Sequence, residues 1–119
     1  MTRVFLDANV YFAGIYSEGG ASFLILELVK KQKLKAFASR LVLHEAVRNL
    51  CQKATSKVVA KFHRYLADTK IVVLPADSLE GHKELEDLIH PKDLPVLVSA
   101  MNAKVDFLIT LYRGSVLES

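Results

Sequence analysis

Tryptophan is absent from this 119-residue chain, cysteine occurs once, proline three times and glycine five times. A single cysteine, Cys51, excludes an intrachain disulfide framework and makes a reducing compartment the default. It follows Leu50 in a helical stretch with nothing nearby to activate a thiol, so it reads as a small buried hydrophobe. No apolar run approaches the roughly 20 residues that span a bilayer, and no signal-peptide pattern opens the chain. The expectation is a soluble, cytoplasmic protein with no membrane partner. The four histidines, His44, His63, His82 and His90, lack ligand spacing and read as surface or turn residues. Repeats, low-complexity tracts and linker-like segments are also missing.

Hydrophobic residues make up 51% of the chain and charged residues 24%. That is a globular composition, and 119 residues fit one domain, 1–119. A net charge of +3 permits contact with a polyanion without demanding it. Two basic runs stand out: Lys30, Lys31, Lys33 and Lys35, then Lys53, Lys57, Lys61 and Arg64 along a helix. Either could follow phosphates or form a solvated face.

Short apolar runs alternate with amphipathic stretches. The pattern predicts strands at 3–6, 35–38, 71–74 and 107–110. It predicts helices at 8–16 and 21–32, then one following an N-cap at Ser39 with Leu43, Val47 and Leu50 on one face. A stripe of Val58, Val59, Phe62, Tyr65 and Leu66 marks a further helix. Two more are expected, at 78–89, ended by His90-Pro91, and at 94–103, apolar nearly all round. Tyr11, Phe12 and Tyr16 read as core or partner-facing residues of the first helix. Strands apolar throughout and separated by helices imply an α/β fold. The expected architecture is a three-layer α/β/α arrangement around a mainly parallel sheet of four to five strands.

In such sheets, sites form beyond the carboxyl ends of the strands. Asp7 directly follows the first strand, and Thr110 closes the last. Glu45 lies early in a helix after a strand, and Asp93 stands at the entry to the apolar helix. All three carboxylates can therefore converge at one rim. Two like charges about 5 Å apart repel by roughly 3 kcal/mol at an effective dielectric near 20, so three such pairs cost on the order of 10 kcal/mol. Either the group takes up protons or it holds a hard divalent cation such as Mg²⁺ or Mn²⁺. The plainer alternatives are an N-cap role for Asp93 and a solvated helix face for Glu45. Arg48, at i+3 from Glu45, could orient that carboxylate or pair with it. Asp106 precedes the last strand and reads as a turn residue at the opposite rim.

Three stretches, VFLDANVYFAG, SRLVLHEAVRNL and HPKDLPVLVSAMNAKVDFLITLYRG, carry a resemblance to the PIN-domain family of metal-dependent ribonucleases, which includes the VapC-type toxins. The resemblance implies that Asp7, Glu45 and Asp93 bind the metal, with Asn9 and Thr110 beside them. It implies hydrolysis of RNA phosphodiesters by a metal-activated water, with Arg48, Lys92 and Arg113 as candidate RNA contacts. It also implies a small antitoxin partner and a homodimer. Two departures accompany it. Tyr112 stands where the family often has a fourth acid, which puts a second metal in doubt. The chain also stops soon after Gly114, short of the usual fifth strand. A catalytically inactive PIN-like module that binds RNA or protein is the alternative. A haloacid-dehalogenase-type phosphatase is disfavoured, since Asp7-Ala8-Asn9 offers only one acid of the DxD it needs.

Overall fold

After Arg3, the first strand is a run of three apolar residues with no polar side chain among them. In the computed structural model, which describes residues 1–74 and 94–111, Val4, Phe5 and Leu6 are accordingly buried on both sides. This strand, β1 (Arg3–Leu6), is central in a sheet to which the described residues contribute four strands. The others are β2 (Lys35–Ser39), β3 (Val72–Leu74) and β4 (Phe107–Ile109). The order is β3-β2-β1-β4, and every pairing is parallel.

Five helices connect the described strands: α1 (Ala8–Tyr16), α2 (Ala21–Lys30), α3 (Arg40–Lys53), α4 (Ser56–Asp68) and α5 (Leu94–Ala103). The chain steps outward from β1 to β2 to β3, then returns across the sheet to β4. Right-handed crossovers therefore put α1 to α4 on one face and α5 on the other. The packing agrees: α1 contacts α2, α3 and α4, while α5 lies against β2. The expected helix at 78–89 lies outside the described residues.

Tyr11, Val10, Leu26, Val42, Leu50 and Phe62 fill the layer between the sheet and α1 to α4. Close approach of α1 to α2 depends on Gly14. A Cβ there would meet Leu26 Cδ1 at 2.5 Å and the Ser22 carbonyl at 3.0 Å. On α5, Val98 and Ala100 are buried while Met101 is exposed, so the helix is less uniformly enclosed than its composition suggests.

At the amino-end rim Asp106 accepts the Arg3 backbone N–H at 2.8 Å, and its own N–H reaches the Arg3 carbonyl. This is the turn role expected of it. Cys51, by contrast, is exposed. The buried line of α3 is Val42, Ala46 and Leu50, one residue off the stripe through Leu43 and Val47. That rotation of about 100° per residue carries Cys51 to the solvent side.

Among the described residues no single helix is long and apolar enough to cross a membrane. The pair α1 and α2 has the length and composition together, but it is bent by 96°.

Candidate active site at the carboxyl-end rim

The chain reverses its direction of travel between β1 and β4, and an α/β sheet leaves a crevice at such a point. Asp7 sits there. It is the N-cap of α1, with extended backbone, and its Oδ1 accepts the Ala8 N–H at 2.7 Å. Its N–H donates to the Ile109 carbonyl at 3.0 Å, tying the end of β1 to the end of β4. The carboxylate at the end of a greasy strand therefore faces the positive end of a helix, which favours an anion.

Glu45 is carried by α3, which starts at the carboxyl end of β2 next door. Ser39 begins that helix by accepting the Val42 N–H at 3.1 Å. Glu45 is half-buried, and among the described residues its carboxylate has no hydrogen-bond or ion-pair partner. Arg48 is exposed and makes no salt bridge with it; Glu18 and Lys61, 3.0 Å apart, form the only ion pair between described residues. A half-buried, unpartnered carboxylate beside a rim that already holds Asp7 suits a hard cation. The donor set is all oxygen.

Thr110 is half-buried just beyond β4, and Asn9 is exposed with its Nδ2 donating to the Leu111 carbonyl at 3.2 Å. Asp7, Asn9 and Thr110 thus lie at one strand-end rim, with Glu45 on the neighbouring helix. Asp93, Lys92, Tyr112 and Arg113 lie outside the described residues. Among the described residues no group of three or more His, Cys, Asp and Glu side chains is poised for a metal. Two of the three expected acids are in that set.

The two basic runs contribute to one cleft. Lys30, Lys61 and Arg64 converge on a cleft of about 150 Å³ between α1, α2 and α4, floored by Leu26 and Phe23. Glu27 and Asp68 line the same cleft, and Lys61 is already paired with Glu18. The mixture of signs marks a solvated face more than a phosphate track. Lys61 also donates to the Ile15 carbonyl at 3.4 Å, closing the last turn of α1. Tyr16 is exposed and stacks on Phe12, with ring centroids 5.3 Å apart, while Tyr11 is core.

The sequence matches the PIN domain family over residues 3–112. No curated protein matches it. Two solved structures share the fold at low identity. One is VapBC2 from Rickettsia felis bound to a DNA fragment from their promoter, with 17% identity and a TM-score of 0.67, covering 92% of this chain and 98% of that one. The other is VapC20 of Mycobacterium tuberculosis, a sarcin-ricin loop cleaving toxin, with 13% identity and a TM-score of 0.64 over 93% of this chain and 91% of that one.

Proposed function

The chain belongs to the PIN-domain family, and from that membership we propose that it is a divalent-metal-dependent endoribonuclease, the toxin half of a toxin–antitoxin pair. The observation that carries the proposal is the strand-end rim between β1 and β4, where Asp7 caps α1 and Glu45, without a partner among the described residues, stands on the adjacent helix. The toxin reading draws support from the folds of VapBC2, solved on a promoter DNA fragment, and of VapC20, a sarcin-ricin loop cleaving toxin.

In this reading Asp7, Glu45 and Asp93 hold Mg²⁺ or Mn²⁺. Such a cation, when bound, supplies positive charge for phosphoryl oxygens and acidity for a water. The chain's own contributions are positional. Asp7 is fixed by the start of α1, and Glu45 by a helix anchored at Ser39. Thr110 offers a hydroxyl at the crevice. Arg48, Lys92 and Arg113 would meet phosphates of the RNA. A small antitoxin covering this rim would silence the enzyme, and a homodimer would present two such rims.

The test pairs Mn²⁺ titration calorimetry with cleavage of a mixed RNA pool. Wild-type protein should bind the ion and cut. Asp7→Asn, Glu45→Gln and Asp93→Asn should each lower cleavage by about a hundredfold or more and weaken the ion. Wild-type protein that neither binds Mn²⁺ nor cuts RNA overturns the proposal and leaves the inactive binding module, a reading that Tyr112 in place of an acid already favours.

A further inference from the structure

We infer that Asn9 is a positioning residue: its side-chain amide adds one rung to the β1–β4 ladder beyond the strand ends and thereby sets Thr110 beside Asp7. The inference rests on the nuclease reading for its catalytic consequence, but the contact itself does not.

The register pairs Val4 with Phe107, Phe5 with Leu108 and Leu6 with Ile109. In a parallel ladder, alternate N–H groups of one strand reach alternate carbonyls of its neighbour. The Asp7 N–H makes the last such backbone bond, to Ile109. The next rung falls due two residues on, from residue 9 to the carbonyl of Leu111. The backbone can no longer supply it, because α1 has begun and the N–H groups of Val10 and Tyr11 already bond to the Asp7 carbonyl.

Asn9 is the second residue of α1, where a side chain tilts back toward the helix start. Its Nδ2 reaches the Leu111 carbonyl at 3.2 Å, in place of the missing backbone donor. Both carbonyls that flank Thr110 are therefore held by the Asp7–Asn9 segment. An exposed bond of this kind adds little to global stability. Its consequence is local: it stops the exit of β4 from swinging away from the carboxylate.

Three variants test this: Asn9→Asp, of the same shape without the donor; Asn9→Ala, without donor or charge; and Asn9→Gln, which keeps the amide. Two readouts are needed. Hydrogen exchange of residues 107–111 is followed by mass spectrometry in metal-free protein, and Mn²⁺-dependent RNA cleavage gives kcat and KM. Asn9→Ala and Asn9→Asp should speed exchange in that segment about tenfold and lower kcat by about ten- to a hundredfold, with KM changed less than about threefold. Asn9→Gln should recover most of both. Unchanged exchange in Asn9→Ala overturns the inference, whatever happens to activity, because the side chain would then act elsewhere. Faster exchange with unaltered kcat also overturns it, leaving a purely structural bond. A wild-type protein that cuts no RNA defeats the nuclease reading instead, and the exchange arm alone then decides whether Asn9 holds this segment.

Discussion

Tyr11 is wholly buried, and its hydroxyl finds no hydrogen-bond partner among the described residues. Tyr65, nearby, donates to the Leu26 carbonyl at 2.7 Å. Deleting an unsatisfied buried hydroxyl removes a desolvation cost and little else. Tyr11→Phe should therefore leave stability unchanged or raise it by up to about 1 kcal/mol, as read by urea unfolding. The same burial pushes the Tyr11 hydroxyl well above its usual 10.0, aided by the neighbouring Tyr65, and lifts Tyr65 too, aided by the charge of Glu27. The folded chain then keeps protons that the unfolded chain releases. Stability from these two groups is intact below about pH 10 and falls as pH rises past it. Tyr11→Phe should flatten that alkaline fall in a pH series of unfolding midpoints. Gly14→Ala acts in the opposite direction. Its new methyl would press on the fully buried Leu26, at a cost of about 1–3 kcal/mol in the same unfolding assay. Cys51, placed in the core by its apolar neighbour, faces solvent, and iodoacetamide should alkylate it in native protein nearly as fast as in urea.

At the scale of elements, two helix starts of the same chemistry sit in different surroundings. Ser39 is buried and bonds Val42 at 3.1 Å, whereas Thr55 is exposed and bonds Val58 at 3.4 Å. Ser39→Ala should cost about 1–2 kcal/mol and Thr55→Ala about 0.5 kcal/mol, measured by denaturant unfolding. Most of these elements were legible in the sequence because each has a physical mark. The apolar triplet of β1 and the Ser39 cap stand where expected, and Gly19, at φ 96°, turns the chain between α1 and α2. The end of α2 was not legible. It stops at Lys30, and Gln32 takes a left-handed turn at φ 60° without the glycine that normally signals one. The one-residue rotation of α3 was hidden for a related reason: Leu43 and Val47 are as apolar as Val42 and Ala46, so only packing against α1 selects the face. At the site, Asp7 announced itself by ending a strand. The role of Asn9 could not be read, since it depends on a carbonyl 102 residues away.

For the molecule as a whole, the acidic rim proposed above would have an energetic signature. In the reading proposed above, mutual repulsion would weaken the metal-free fold, and a bound cation would stabilise it by an amount that grows with ligand excess. Mn²⁺ at 100 times its dissociation constant should add about 2.7 kcal/mol, seen as a higher thermal midpoint. Glu45→Gln should abolish most of that gain while raising the metal-free midpoint slightly. The topology has a further effect on how the rim is made. β1 is synthesised first, yet its partner β4 comes about a hundred residues later, after two other strands have joined the sheet on the far side of β1. A nascent chain still on the ribosome can order β1, β2 and β3 with their helices, but half the crevice is missing until β4 emerges. In the nuclease reading proposed above, the chain would thus stay harmless to the machine translating it until β4 has emerged, disarmed by strand order alone.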